Sequence, residues 1–213
     1  VSAVRWAAMG GFPGSTTGSR FDAASARLLF VRTDRLGETL LNLPVLHVLR
    51  EAFPQRRLIM MVEASLKELV RGDPALDEVI AEPAVQGPWW QRARALGRLW
   101  RSLDVEAILI SNPTKTYHLG AWLAGIPIRV GYDRKWGWTL THRLPDQKAI
   151  GERHEVDYNL DLVRALGISV AEIPPVRFPV SPDEERIVSR RLEALSVIEA
   201  ARLVAVQPWT SNP

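Results

Sequence analysis

Short apolar segments alternate with longer amphipathic segments along most of this chain. The predicted strands are residues 28–32, 58–63, 78–81, 107–111 and 129–131. The predicted helices are residues 37–52, 65–70, 88–102, 116–124 and 155–166. This alternation is typical of a parallel sheet that is covered by helices on both faces. The sequence therefore predicts an α/β fold with a doubly wound, Rossmann-like parallel sheet.

The two ends of the chain differ from this alternating region. Residues 1–26 are rich in Gly, Ser, Thr and Ala, which predicts a flexible tail. A proline-rich segment, 173–179, cannot form a regular helix and separates residues 27–180 from residues 181–213. A helix that begins at Ser181 with Pro182 and an apolar strand over 202–206 follow it. Because these two elements alone have little to pack against, we expect 181–213 to be the start of a truncated second domain.

Composition limits the class of protein without identifying a function. Hydrophobic residues make up 46% and charged residues 24% of the 213 residues, enough for one sizeable core. The absence of cysteine excludes disulfides and thiolate metal sites. Arginines far outnumber lysines, which favours an anionic ligand or surface. No apolar run approaches the roughly 18 residues of a membrane span, and no signal peptide is evident, so we expect a cytoplasmic location.

The turn after the first predicted strand is the strongest functional signal. It is polar, contains Gly37 and leads directly into a helix. Such turns lie at the carboxyl edge of an open α/β sheet, where ligands bind, and they point a helix amino terminus toward the ligand. Glu38 stands at this junction. Its carboxylate is either a helix-start residue favoured by the helix dipole or a general base.

Loops after other strands should bring further charges to the same edge. A carboxylate beside cations could deprotonate a hydroxyl of an acidic acceptor. The cations would bind the acid groups of that acceptor and keep the carboxylate ionised. For Arg35, Arg134 and Lys135 taken singly, a solvated loop charge is the favoured interpretation. The predicted acceptor-binding residues are Asp34, Arg35, Gly37, Lys115, Arg134 and Lys135.

Several cofactor classes lack their motifs. Neither the Gly-x-Gly-x-x-Gly dinucleotide fingerprint nor a phosphate-binding P-loop occurs, which argues against nicotinamide redox and P-loop chemistry. The four histidines show no metal-ligand spacing, so no metal and no cofactor are predicted. His154 lies where a helix begins, and a capping or packing role is the expected one.

The predicted helix 88–102 combines aromatic and basic residues. This combination favours contact with an anionic membrane surface. An ordinary amphipathic helix, with its apolar stripe on the sheet, explains the same pattern, and both interpretations stay open. The residues that would contact the membrane are Trp89, Trp90, Arg92, Arg94 and Arg98.

Three motifs stand in order along the chain. The first, a strand–turn–helix unit that ends in Phe-Pro, reads RTDRLGETLLNLP at 32–44 with LREAFP at 49–54. The second, an Ala-Gly-Ile turn with an Arg-x-Gly strand end and a later histidine that opens a helix, reads LGAWLAGIPIRVG at 119–131 with His154. The third is the loop VAVQPWTSNP at 204–213. Together they resemble family 9 glycosyltransferases, the bacterial heptosyltransferases that build the inner core of lipopolysaccharide, in which the third motif opens the donor-binding domain.

This resemblance implies a fold, a reaction and site residues. The fold is GT-B, with residues 27–180 as the acceptor-binding domain and residues 181–213 as the start of the donor-binding domain. The reaction is inverting transfer from an ADP-sugar without an obligatory metal or other cofactor. Glu38 matches the acidic residue proposed as base in the family, where it is usually Asp. Residues matching the loop that contacts the donor phosphates are Thr210, Ser211 and Asn212.

Two positions in that loop differ from the family pattern. Gln207 replaces the usual His, and Trp209 replaces a Gly that permits close backbone approach to phosphate. The family's later nucleotide-contacting residues have no counterpart up to Pro213. The resemblance therefore implies that this fragment alone is inactive.

The predicted function is that of an inverting glycosyltransferase, heptosyltransferase-like, which moves a heptose or related sugar from an ADP-sugar to an acidic lipopolysaccharide-type acceptor. The alternatives are a non-catalytic domain that binds acidic glycolipid, or an inactive fragment of a transferase. Nucleic-acid binding, suggested by the many arginines, ranks last because no recognised module is present.

Overall fold

A computed structural model describes residues 27–197, 204 and 206. In this part of the chain six strands form one parallel sheet in the order β3-β2-β1-β4-β5-β6. This is the strand order of doubly wound Rossmann sheets, which confirms the predicted fold class. The strands are β1 (Arg27–Val31), β2 (Arg57–Val62), β3 (Glu78–Ala81), β4 (Val105–Ile110), β5 (Ile128–Tyr132) and β6 (His142–Leu144). The sequence did not predict β6, which has only three residues.

Seven α-helices and three short 3-10 segments connect or follow these strands in the described residues. The helices are α1 (Leu36–Leu40), α2 (Leu43–Ala52), α3 (Lys67–Val70), α4 (Trp89–Ser102), α5 (Lys115–Ala124), α6 (Glu155–Arg164) and α7 (Pro182–Ala194). The 3-10 segments are Ala64–Leu66, Gly137–Thr139 and Lys148–Ile150.

The predicted single helix over 37–52 is wrong, because the chain forms two helices there. α1 ends at Leu40, and α2 begins at Leu43 with Pro44 in its first turn. Pro44 has no N–H to donate to the Leu40 carbonyl, and its ring would crowd that carbonyl in a continuous helix. The interruption leaves Asn42 between the helices, where its side chain reaches back to α1.

The sheet buries both of its faces. In β1, Leu28 and Phe30 pack on one side with α2 and α6, whereas Leu29 and Val31 pack on the other with α4 and α5. Neighbouring side chains of a strand point to opposite faces, so a strand covered on both sides is a continuous apolar run. The apolar runs of the sequence are therefore explained by helices on both sides.

Helix α4 packs on the sheet and closely against α5. Its buried residues are Ala93, Leu96, Gly97 and Trp100. A Cβ atom added at Gly120 of α5 would lie 3.0 Å from the Trp100 ring and 3.2 Å from the Ala93 carbonyl. The amphipathic interpretation of α4 thus accounts for its buried face, while its first residues, Trp89 and Trp90, remain 36% and 41% exposed.

Side chains cap several helix starts. Thr114 Oγ1 accepts a hydrogen bond from the Tyr117 amide, and His154 Nδ1 accepts one from the Val156 amide, which confirms the expected capping role of His154. Ser181 and Glu184 form a capping box at α7, as its sequence indicates.

The chain divides into two compact units between Pro179 and Val180. Within the first unit the segment 173–179 has no regular secondary structure. The strand predicted over 202–206 lies outside the described residues, except for Val204 and Val206. Among the described helices, none combines the length and the apolarity that crossing a bilayer requires.

Candidate active site

A cleft of about 710 Å³ lies at the carboxyl edge of the sheet. Strand order reverses between β1 and β4, and in open α/β sheets ligands bind in the crevice at that point. The loops after these strands and after β5 and β6 supply the walls. The lining residues are Arg32, Asp34, Arg35, Glu38, Ser111, Asn112, Pro113, Tyr132, Asp133, Arg134, Asp146, Lys148 and Glu155.

Arg32 organises one wall of the cleft. It directly follows β1 and is only 4% exposed. Its Nε lies 2.6 Å from Asp34 Oδ1, and its Nη2 lies 2.6 Å from Glu38 Oε2. Its Nη1 donates to the Ser111 side chain at 3.1 Å and to the Ser111 carbonyl at 3.3 Å. The guanidinium thus holds two carboxylates with charge-assisted hydrogen bonds, while Ser111, directly after β4, anchors it.

A second contact fixes the backbone of Glu38. Asn42 Nδ2 donates to the Glu38 carbonyl at 2.6 Å, and Asn42 Oδ1 accepts from Ser111 Oγ at 2.7 Å. Because Arg32 also bonds Ser111, a closed ring of hydrogen bonds joins Arg32, Glu38, Asn42 and Ser111. Asn42 and Ser111 are buried, so these bonds are shielded from water.

One oxygen of the Glu38 carboxylate is left available. Oε2 is bound by Arg32, whereas Oε1 has no hydrogen-bond partner among the described residues. The side chain is 39% exposed and lines the cleft. A carboxylate that is held through one oxygen and presents the other to a cleft has the geometry of a general base.

The opposite wall is built around Lys148. Its Nζ forms an ion pair with Glu155, lies 2.7 Å from Asn159 Oδ1 and lies 4.9 Å from the Tyr132 ring centroid. The Tyr132 hydroxyl donates to the Tyr158 carbonyl at 2.7 Å, and burial raises the pKa of Tyr132. An ion pair and hydrogen bonds therefore hold this wall together, and the Tyr132 hydroxyl is neutral and donates to the main chain.

The cleft is less cationic than the loop residues alone suggest. Four of its lining residues are cations, but five are carboxylates. Arg32 and Lys148 are paired as described, and Arg134 Nη1 lies 2.7 Å from Asp146 Oδ2. Arg35 is the lining cation that has no ion pair within the described residues. The sequence did not indicate the acids Asp146 and Glu155, because they follow the unpredicted strand β6.

The structure brings together only some of the residues predicted from sequence. Asp34, Arg35, Glu38 and Arg134 line the cleft. Three others do not line the cleft formed by the described residues. Gly37 is an exposed residue of α1, Lys115 begins α5, and Lys135 follows Arg134 in the loop after β5. Their acceptor-binding roles stay predictions. The predicted donor residues, Thr210, Ser211 and Asn212, lie outside the described residues.

Sequence reasoning missed the residues that hold Glu38. Arg32 and Ser111 each stand directly after an apolar strand. A polar residue at that position could have indicated that its side chain lies in a site at the sheet edge. Asn42 had no such sign, because its role depends on the interruption before Pro44. Within the described residues, no cluster of three or more His, Asp or Glu side chains is placed to hold a metal ion.

Comparisons with known proteins agree with this architecture. No protein-family model matches the chain. A Haemophilus influenzae protein named "Putative glycosyltransferase" is 29% identical over 143 residues, which are 65% of this chain and 40% of that protein. The family 9 glycosyl transferase of Veillonella parvula superposes with a TM-score of 0.69 at 18% identity, over 82% of this chain and 51% of that one.

A second solved structure has the same relation to this chain. The Escherichia coli ADP-heptose lipopolysaccharide heptosyltransferase II gives a TM-score of 0.63 at 18% identity, over 81% of this chain and 51% of that one. The chain thus spans about half the length of the solved structures and less of the curated relative. These comparisons confirm the resemblance to family 9 glycosyltransferases, and the chain has the Rossmann-like fold expected for the amino-terminal half of a GT-B structure.

Proposed function

We propose that residues 27–180 are the acceptor-binding domain of an inverting glycosyltransferase. In this proposal the protein moves a heptose or related sugar from an ADP-sugar to an acidic acceptor of the lipopolysaccharide type. Similarity to glycosyltransferases supports the class of reaction. The name of the Escherichia coli enzyme supports ADP-heptose as donor and lipopolysaccharide as acceptor.

The observation that carries the proposal is the Glu38 carboxylate. It lies at the point where strand order reverses, with Oε2 bound to Arg32 and Oε1 directed to no other described residue. If Glu38 were only a helix-start residue, a buried arginine and a buried asparagine would not both be needed to hold it. Two buried residues that fix the position of Glu38 are expected if the reaction depends on where its carboxylate lies.

The proposed reaction is a single displacement. Glu38 takes the proton of an acceptor hydroxyl, and the hydroxyl oxygen forms a bond to the anomeric carbon of the donor sugar. The bond from that carbon to the ADP oxygen breaks on the opposite face, so the anomeric configuration inverts and ADP leaves. Stabilisation of the negative charge on ADP is assigned to Thr210, Ser211 and Asn212, as the resemblance implies.

The acidic nature of the acceptor rests mainly on Arg35. The other cations of the cleft are already paired with carboxylates, so Arg35 is our candidate to bind an acid group of the acceptor. We place the protein in the cytoplasm, at the inner face of the membrane. Contact through Trp89, Trp90 and the arginines of α4 is part of this proposal.

The test replaces Glu38 in the full-length protein. Glu38→Gln keeps the size of the side chain and removes the base, so kcat should fall at least about a hundredfold. Glu63→Gln is the matched control, because Glu63 is also a carboxylate at the start of a helical turn, after β2, and does not line the cleft. Activity of Glu38→Gln within a factor of a few of the parent would remove Glu38 as the base.

A further inference from the structure

Four tryptophan side chains form a continuous row on the α4 and α5 side of the molecule. The ring centroids of Trp89 and Trp136 are 5.2 Å apart, those of Trp136 and Trp138 are 5.7 Å apart, and those of Trp138 and Trp122 are 6.4 Å apart. The rings come from α4, from the loop after β5 and from α5. We call these four residues the tryptophan surface. Only its α4 member was predicted to contact a partner.

The tryptophan surface is exposed to solvent. Trp138 is 61% exposed, Trp122 50% and Trp89 36%, while Trp136 between them is half-buried. Indole rings are large and mainly apolar, and a contiguous group of them on a surface marks an interaction site more often than a chance arrangement. None of these rings is needed to fill the core on this side, since Leu96, Trp100, Tyr117 and Ala121 already do so.

Hydrogen bonds, one of them from a buried histidine of α5, fix the loop that carries Trp136 and Trp138. His118 of α5 is fully buried, and its Nδ1 lies 3.1 Å from the Lys135 carbonyl. Burial lowers the pKa of His118, so the ring is neutral and Nδ1–H is the donor to that carbonyl. The Thr139 amide and hydroxyl both donate to the Trp136 carbonyl, at 3.1 and 3.0 Å. The outward position of the tryptophans is therefore built into the loop.

The segments that carry these tryptophans are basic. Helix α4 contains four arginines and no acidic residue, α5 contains Lys115 and no acidic residue, and Arg134 and Lys135 precede Trp136. Arg92 is paired with Glu82 and Arg134 with Asp146. Within the described residues, the cations of these segments that have no ion pair are Arg94, Arg98, Arg101, Lys115 and Lys135, and Arg101 donates to the Leu123 and Ala124 carbonyls. Arg94 lies 5.3 Å from the centroid of the Trp90 ring.

We infer that the tryptophan surface and the unpaired cations of the segments that carry it bind the headgroup region of an anionic phospholipid bilayer. Indole rings are stable at the boundary between apolar and aqueous phases, and each nearby cation adds attraction to anionic lipid. The surface therefore offers both of the contributions that hold an interfacial protein on a membrane.

Two other occupants fit this surface less well. A sugar chain stacks on coplanar rings, but successive rings here are inclined by 74°, 34° and 60°. A second copy of the chain would bring the arginines of two α4 helices together without opposing acids. An anionic bilayer requires neither flat stacking nor acidic partners.

The surface adjoins the cleft through one loop. Asp133 and Arg134 line the cleft, and Lys135 and Trp136 follow them directly in the chain. A bilayer bound at the tryptophan surface would keep the cleft close to lipid headgroups. This inference rests on the membrane contact in the proposed function and deepens it by naming the surface and the class of lipid, and it can be tested without donor, acceptor or transfer.

The test is co-sedimentation of the 213-residue chain with vesicles. Phosphatidylcholine vesicles that contain phosphatidylglycerol should bind the chain, phosphatidylcholine vesicles should bind it much less, and added salt should weaken the binding. The double variant Trp122→Ala with Trp138→Ala should bind at least about tenfold more weakly. Its matched control is Ile173→Ala with Phe178→Ala, which removes two exposed apolar side chains elsewhere and should bind like the parent.

Charge is tested separately. Arg98→Glu should weaken binding by about tenfold. Arg190→Glu in α7 makes the same change of net charge on an exposed helix without tryptophans, and it should have a much smaller effect. Circular dichroism melting of each variant establishes that the fold is retained.

Three results would overturn the inference. They are parent-like binding by the folded tryptophan variant, equal effects of Arg98→Glu and Arg190→Glu, and tryptophan-dependent dimerisation without vesicle binding. Failure of the transferase assay would leave the vesicle result unaffected, and the reverse also holds.

Discussion

Arg32 bonds Glu38 from a buried position, with 2.6 Å between Nη2 and Oε2. The same guanidinium bonds Asp34 and Ser111, so its removal affects three partners at once. Arg32→Met should lower the free energy of unfolding by about 2 kcal/mol, because hydrogen bonds to charged groups are lost. The loss is no larger because the two carboxylates keep partial access to water. Urea denaturation measures this loss.

A surface ion pair provides the control for Arg32. Arg57 pairs with Glu78 at 2.8 Å, and the two side chains are 50% and 35% exposed. Arg57→Met should therefore lower the free energy of unfolding by less than about 1 kcal/mol. Equal stability losses in the two Met variants would contradict the anchoring role of Arg32.

The position of Glu38 should depend on the shape of the Arg32 side chain as well as on its charge. In the full-length protein Arg32→Lys should keep the charge but misplace Glu38, lowering kcat by about tenfold or more.

Asn42 and Ser111 should behave as one unit. Ser111 Oγ donates to Asn42 Oδ1 at 2.7 Å, and both side chains are buried. Asn42→Ala and Ser111→Ala should each destabilise the chain by about 1–3 kcal/mol, since each leaves a buried polar partner unsatisfied. The double variant should lose less than the sum, with a coupling energy of about 0.5–2 kcal/mol. Strictly additive losses would show that the hydrogen-bonded ring does not act cooperatively.

Arg35 provides a test of the acidic acceptor. It lines the cleft and has no ion pair among the described residues, so its charge is available to a ligand. In the full-length protein, Arg35→Gln should raise KM for an acidic acceptor by about tenfold, with a smaller change in kcat. Arg177→Gln is the comparison, because Arg177 is an exposed arginine that does not line the cleft. An unchanged KM in Arg35→Gln would argue for a neutral acceptor.

The sequence was sufficient for the architecture because the sheet is buried on both faces. Apolar runs such as Leu28–Val31 have few alternatives when helical segments separate them, so a parallel sheet covered by helices on both faces follows. The helix interruption before Pro44 was also readable, since proline cannot donate the required bond. The prediction instead gave priority to the continuous helical spacing of leucines over 40–49.

The candidate site was only partly predictable, because it depends on distances between side chains. Glu38 and Arg35 could be placed at the sheet edge from their strand and turn. The pairing of Arg134 with Asp146 and of Lys148 with Glu155 depends on β6, which has only three residues and gives a weak pattern. The charge of a cleft cannot be deduced from its cations until the positions of its acids are known.

His47 should make stability depend on pH. Its Nε2 lies 3.3 Å from Asp73 Oδ2, and this hydrogen bond raises the pKa of His47 more than partial burial lowers it. A raised pKa means that the native state binds the proton more tightly than the unfolded state, where the pKa is about 6.5. The stabilisation is therefore complete below the unfolded pKa and disappears as pH rises through the higher native pKa.

Two matched variants test this sign. His47→Gln should be less stable than the parent by about 1 kcal/mol or less at about pH 5.5, and the difference should shrink at about pH 8.5. Asp73→Asn removes the charge, while its side-chain oxygen can still accept the Ala75 amide as Oδ1 does now at 2.8 Å. It should show the same pH-dependent loss, and the double variant should lose little more. A difference that grows with rising pH would contradict the assigned ion pair, because only the protonated imidazole gains from the Asp73 charge.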